Sequence, residues 1–356
     1  MEGVGIPGLA MASAFRRCAS RAFRHFSTSS PYGSAPPATT ESKVTVRTLA
    51  QMRQKGQKIA CVTAYDHPSA VHGEMAGADL LLVGDSAAMV VHGHETTLPI
   101  TLEEMVWHCK SVRRGAKRAM VVGDLPFGSY EASTTQAVHS AVELMQKGGA
   151  DAVKLEGGAP DRTKAAMAVV RAGCATMGHV GLTPQAVSTV GGFRPAARNA
   201  KAAEKVIDEA LALQDAGCFS LVLECVPAAV AAAVTSALSI PTIGIGAGRY
   251  VDGQVLVYHD LVGMHSHPHH AKVAPRFCKQ YAQVGPTVIE AIRNYCDEVR
   301  GQVFPHDKYA PYRIGEEDLE QFAESLARRG LHVAAEAATS VSGMAATEEE
   351  HRKHGG

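Results

Sequence analysis

The 356-residue chain has few aromatic residues, 5% with a single tryptophan, and no excess of charge, with 35 Lys plus Arg against 35 Asp plus Glu. Balanced charge leaves no global basic field to hold nucleic acid or an anionic membrane surface, so any partner surface has to be local. No run approaches the roughly 18 to 20 apolar residues of a spanning helix, and no membrane crossing is expected. The eight cysteines contain no C-x-x-C pair, which speaks against a zinc ribbon or a disulfide framework and for reduced, mostly buried thiols. Against these lacks stand 46% hydrophobic residues, enough for a sizeable core, and 34 glycines, which suit tight strand-to-helix turns. The balance points to an α/β enzyme built as one large barrel or two average domains.

The N-terminus differs from the rest. Before Glu41 the one acid is Glu2, while Arg16, Arg17, Arg21 and Arg24 lie among many Ala, Ser and Phe residues. This composition is that of a mitochondrial transit peptide, with a plain basic tail as the alternative, and residues 1–40 are set aside from the fold.

From residue 41 onward, short apolar runs alternate with helical stretches. The runs are KIACVTAYD (58–66), DLLLVGDS (79–86), RAMVVGDLPF (118–127), AVKLEG (152–157), CATMGHVGL (174–182), CFSLVLECVP (218–227), PTIGIGAG (241–248) and QVLVYHD (254–260). They are too continuously apolar for half-exposed strands and fit a parallel sheet covered on both faces. Eight of them predict a (β/α)8 barrel over 41–310. Thr101-Leu102-Glu103-Glu104 reads as a capping box, and residues 228–239 leave room for about three helical turns. The gap between the seventh and eighth runs is too short for a helix, so an irregular eighth unit is left open. A doubly wound sheet is the alternative, but no G-x-G-x-x-G follows the first run.

If the strands are parallel, each strand-end loop opens on one rim. Asp85 and Ser86 end the second strand, Asp124 the third, Lys154 and Glu156 the fourth and Glu224 the sixth, with His179 late in the fifth. One acid at a strand end is more often a helix cap or a surface ion pair; five consecutive strands supplying ionisable groups to one mouth favour a catalytic site. Asp85, Asp124 and Glu156 offer hard oxygen ligands with no matching Cys or His, which suits Mg2+ rather than zinc. Such an ion can chelate a 2-oxo acid and stabilise the enolate left when the neighbouring C–H is deprotonated. Lys154 can add positive charge there, and Glu224 is the candidate general base, with a place behind the metal as its other reading.

These residues carry a resemblance. The segments VTAYD (62–66), LLVGDS (81–86), GHETTLPITLEEM (93–105), GDLPF (123–127), VKLEGG (153–158), GHVGLTPQ (178–185), LVLECVP (221–227), IGIGAG (243–248) and DGQVLVYHD (252–260) are similar, in order, to the ketopantoate hydroxymethyltransferase family over about residues 44–309. The resemblance implies a (β/α)8 barrel of the phosphoenolpyruvate/pyruvate type. It also implies transfer of a one-carbon unit from 5,10-methylenetetrahydrofolate to 3-methyl-2-oxobutanoate, giving 2-dehydropantoate on the route to pantothenate. By motif it implies Asp85, Asp124 and Glu156 as metal ligands, Glu156 directly or through water. Substrate contacts are implied for Asp85, Ser86, Asp124, Lys154 and His179, and proton acceptance for Glu224. It further implies a homo-oligomer, decameric in several members.

Other features remain open at this level. The 92–97 loop is expected over the mouth, its histidines hydrogen-bonding within the loop. Gly244, Gly246 and Gly248 suit either a phosphate cradle or close packing. GGFR (191–194) is followed by PAAR (195–198) where the family usually has a small polar stretch with a Gln-Gly pair. His265, His267, His269 and His270 read as a solvated loop in preference to a soft-metal site. Residues 311–330 predict a C-terminal amphipathic helix, and 331–356, without periodicity, predict disorder. The rivals to hydroxymethyl transfer are a Mg-dependent oxo-acid C–C lyase or phosphomutase of related barrels, against which the Lys-Lys-Cys-Gly-His string of such lyases is missing, and a non-catalytic binding protein, against which all four acids stand in their motifs.

Overall fold

The computed structural model describes residues 42–192, 196–264 and 275–340. The expected transit segment, residues 193–195 of the departing loop, the 265–270 histidine cluster and residues 341–356 lie outside them. Eight strands follow in order: β1 (Ile59–Thr63), β2 (Leu80–Val83), β3 (Met120–Asp124), β4 (Ala152–Lys154), β5 (Thr176–Gly181), β6 (Ser220–Glu224), β7 (Thr242–Ile245) and β8 (Gly253–Leu256). Each pairs in parallel with the next, and β8 returns to β1 through the Cys61–Val255 register, closing the barrel.

The continuous apolar runs acquire meaning through the alternation of strand side chains. Leu80, Leu82, Met120, Val122, Met177, Val222, Ile243 and Val255 fill the barrel interior, joined by Val44 and Leu49 from the N-terminal segment. The residues between them, among them Leu81, Val83, Val121, Val153, Leu221 and Leu223, pack outward against the helices. β2 to β5 are covered on both faces along nearly their whole length, whereas Ala60 of β1 and Gln254 of β8 are exposed where those two strands meet.

The helices of this layer start at side-chain caps where Thr45, Asp66, Thr101, Ser133 and Asn199 accept from free N–H groups, and without such a cap elsewhere. They include α1 (Val46–Gln54), α2 (His67–Met75), the single turn α3 (Ala87–Val90) and α4 (Leu102–Gly115). At α4 the expected capping box is present, with Thr101 Oγ1 accepting from Glu104 N at 3.2 Å and Glu104 Oε2 accepting from Thr101 N at 2.8 Å. There follow α5 (Thr134–Gln146), α6 (Pro160–Arg171), α7 (Val187–Val190), α8 (Ala200–Asp215), α9 (Ala228–Ala237) and α10 (Tyr258–Leu261). No helix separates β7 from β8. Asp252 pins that short link by accepting from Thr242 N at 3.0 Å and from Arg53 Nε at 3.1 Å.

The eighth unit is complete in its strand and irregular in its helix. Of the 17 residues of α11 (Val284–Arg300) only Gly285 is buried, whereas Ile292 and Tyr295 are 57% and 56% exposed. The C-terminal amphipathic helix is α12 (Glu316–Arg328). One expectation fails: the tail from 331 was expected to be disordered, yet residues 332–340 are helical. Ala334, Ala335, Ala337 and Ala338 give this stretch high intrinsic helix propensity, which an argument from apolar periodicity overlooks.

Among the described residues, no helix is long and apolar enough to cross a membrane. The described cysteines are all free, with Cys109, Cys174 and Cys218 buried.

Candidate active site

All strands point their C-terminal ends to one rim, and a cavity of about 610 Å³ opens there. Asp85, Ser86, Asp124, Lys154, Glu156, His179 and Glu224 all line it, so the structure brings every sequence-predicted site residue to one place. The positions follow from the strands. Asp124, Lys154 and Glu224 are the last residues of β3, β4 and β6, and Asp85 and Ser86 lie just beyond β2.

Asp85, Asp124, Lys154, Glu156 and His179 are each 5% exposed or less. Lys154 Nζ sits 2.8 Å from Asp124 Oδ1, 3.8 Å from Glu156 Oε1 and 3.4 Å from His179 Nδ1. Asp124 Oδ2 accepts from the Asp85 backbone N–H at 3.3 Å. His179 Nε2 lies 3.3 Å from Glu224 Oε2 but makes no hydrogen bond of good geometry, leaving a buried N–H beside the acid. On the opposite side, Ser86 Oγ is 2.8 Å from the hydroxyl of Tyr65.

This arrangement strains the ionisation of its members. Burial pushes the Asp124 carboxyl up to about 7, with Lys154 opposing and Asp85 adding to the rise. Burial likewise raises Glu156 well above the usual carboxylate range, only partly offset by Lys154. Burial works against the Lys154 ammonium, but Asp124 and Glu156 outweigh it and hold the charge more firmly than usual. His179 is pushed down, first by burial and then by Lys154, so its ring is neutral. An ammonium only donates, so Nδ1 accepts from Lys154 and the ring proton rests on Nε2, facing Glu224 and the cavity.

Three buried carboxyls against one ammonium resist carrying their full negative charge, a cost that a bound cation would relieve. Among the described residues, no group of three or more His, Cys, Asp or Glu side chains is arranged to hold a metal ion by itself. The oxygen donors of Asp85, Asp124 and Glu156 suit a hard cation, which is held by one or two carboxylates together with waters and substrate oxygens. The donors here are all oxygen.

A closed parallel barrel whose strand ends gather buried acids, a lysine and a neutral histidine around one cavity defines an α/β-barrel enzyme acting on a small molecule. The model of the ketopantoate hydroxymethyltransferase family matches residues 43–307, and the chain belongs to that family. It is 58% identical over 307 residues to 3-methyl-2-oxobutanoate hydroxymethyltransferase 1, mitochondrial, of Arabidopsis thaliana, covering 86% of this chain and 88% of the relative. The mitochondrial enzyme 1 of Oryza sativa subsp. japonica is 60% identical over 300 residues, covering 84% and 82%. The 3-methyl-2-oxobutanoate hydroxymethyltransferase of Carboxydothermus hydrogenoformans is 50% identical over 279 residues, covering 78% and 99%.

The structure also assigns places to residues the sequence left without roles. Tyr65, the aromatic of VTAYD, holds Ser86. Thr97, from GHETT, lines the cavity with a buried hydroxyl that lacks a partner. The motif containing each was visible, but which member faces the cavity depends on the loop path. The 92–97 loop is tied to α4 by His92 Nε2 and His108 Nε2, 2.9 Å apart, so His92 bonds to the following helix rather than within the loop. Gly246 has φ +63°, and a Cβ there would come within 2.7 Å of Phe277, so close packing accounts for that glycine.

Proposed function

We propose that this chain transfers a hydroxymethyl group from 5,10-methylenetetrahydrofolate to 3-methyl-2-oxobutanoate, giving 2-dehydropantoate for pantothenate synthesis, as a Mg2+-dependent mitochondrial enzyme. The relatives' printed names support the acceptor, the hydroxymethyl transfer and, for the plant forms, the organelle. A lyase or phosphomutase reading draws no support from relatives of this identity. The observation that carries the chemistry is Glu224 Oε2 lying beside the unpartnered His179 Nε2, in the same cavity as the buried Asp85, Asp124, Glu156 and Lys154.

Asp85 and Asp124 would hold Mg2+, with Glu156 bound directly or through water. When bound, the ion supplies positive charge at the keto oxygen as negative charge develops there. Lys154 and the Nε2–H of His179 bind and orient the keto acid, with Ser86 completing the contact under the hold of Tyr65. Glu224 takes the C3 proton. The C3 electron pair then forms the new C–C bond to the one-carbon unit, delivered at the oxidation level of formaldehyde. Water cleaves the donor's two C–N bonds, its oxygen staying on the one-carbon unit and its two protons going to the two nitrogens of the departing tetrahydrofolate, and the proton held by Glu224 goes to the alkoxide formed with the new C–C bond.

Loss of the C3 proton in heavy water, followed by NMR with Mg2+ and 3-methyl-2-oxobutanoate, tests this directly. Wild-type protein exchanges the proton and forms hydroxymethylated product when the folate is added, whereas Glu224→Gln keeps keto-acid binding and loses exchange. Undiminished exchange in Glu224→Gln assigns the base elsewhere, and exchange without product removes this one-carbon donor.

A further inference from the structure

Behind the cavity wall, Gln185 touches two of the acids at once. It lies in the single 3-10 turn Pro184–Ala186 after β5 and is 4% exposed. Its Nε2 donates to Asp85 Oδ2 at 2.9 Å and to the Leu125 carbonyl at 3.0 Å, while its backbone N–H donates to Glu156 Oε2 at 3.1 Å. The amide cannot be turned over, because a backbone carbonyl only accepts and its Oε1 receives the hydroxyl of Tyr130. Tyr130 is itself 2% exposed, with Arg162 over its ring.

We propose that Gln185 is a positioning residue for the metal. Its side-chain and main-chain N–H groups each occupy one oxygen of Asp85 and of Glu156, fixing which oxygen of each carboxylate remains for the ion, and Tyr130 locks the amide in that sense. Partners of this kind set ligand orientation and hence affinity. The consequence is selective. Mg2+ is small and demands near-ideal octahedral geometry, whereas Ca2+ accepts looser and more numerous oxygens. An Asp85 carboxylate freed of the amide therefore loses Mg2+ more than Ca2+, while the main-chain N–H keeps its hold on Glu156. The sequence placed Gln185 at the end of GHVGLTPQ with no role, and it is not among the residues lining the cavity.

The inference rests on the metal reading above, and calorimetric titration of the full chain with Mg2+ and with Ca2+ separates the two. Gln185→Met, which keeps the volume and removes the amide, raises the Mg2+ dissociation constant about 10- to 100-fold and the Ca2+ constant clearly less. Tyr130→Phe leaves the donors in place but unlocks them, and shifts Mg2+ affinity in the same direction by about 2- to 10-fold, the worth of one neutral hydrogen bond. The double variant is no weaker than Gln185→Met, because both act through one amide. Unchanged Mg2+ affinity in Gln185→Met, or equal loss of both ions, overturns the positioning role. Should Gln185→Met fail to fold, unchanged Mg2+ affinity in Tyr130→Phe overturns it instead. Asp124→Asn is the control: if it binds Mg2+ as tightly as wild type, the metal reading itself fails, whereas loss there with none in Gln185→Met removes Gln185 alone.

Discussion

Asp124 shows how one residue couples the site to stability. Folded, it keeps its proton up to about pH 7; unfolded, it releases it near the ordinary 3.8. Between those values the folded state binds more protons, so Asp124 makes the metal-free protein less stable as pH rises through that window. A bound cation removes the penalty, and protons compete with it at low pH. The rise in melting temperature on adding Mg2+ is therefore expected to be larger at about pH 8 than at about pH 5. Asp124→Asn abolishes metal-dependent turnover and reduces that shift and its pH dependence, the raised Glu156 carboxyl still titrating, while the circular dichroism spectrum stays native. A shift of equal size at both pH values in wild type contradicts the assignment.

The positions of these residues at the rim were legible because strand-end acids announce themselves in parallel runs. Gln185 and Tyr130 were not legible, since a neutral side chain acting through others carries no charge signature.

At the scale of elements, the placing of Glu224 depends on how closely β5 approaches β6. Gly181, at φ +102°, lets the end of β5 lie against the Glu224 carbonyl; a Cβ there would be 2.3 Å from that oxygen. Cys225, the next residue after Glu224, adopts φ +50°. Gly181→Ala is expected to cost about 1 to 3 kcal/mol, from a strained φ and a forced strand displacement. Chemical denaturation measures the cost, and the heavy-water assay reports the displacement of Glu224 as slower C3 exchange at full metal loading. Native exchange in a destabilised Gly181→Ala would show that the base tolerates the shift. The sequence marked GHVGL as a strand but not the contact across to β6, because the approach of two strands is set by barrel closure.

For the whole molecule, the strands close the barrel while α11 stands largely outside its core. Val288, Ile289, Ile292, Tyr295 and Val299 are exposed by 43% or more, an apolar face that water does not favour. We expect this face to be covered by a second copy of the chain, in line with the homo-oligomer implied by the family resemblance. Light scattering is expected to give a mass of several subunits for wild type, reduced by Ile289→Glu combined with Ile292→Glu; a monomeric wild type excludes it.

The sequence by itself determined the (β/α)8 class, the order of the strands, the cap of α4 and the rim residues, because apolar runs, a capping box and strand-end acids are local patterns. Helix at 332–340 escaped it, since alanine propensity leaves no periodic signature. Only the tertiary structure decided that the eighth strand closes on the first, that α11 leaves the core, that Nε2 of His179 faces Glu224, and that Gln185 reaches Asp85 and Glu156 together. Each of these joins residues far apart in the chain, and such contacts exist only once packing has fixed the distance between their elements.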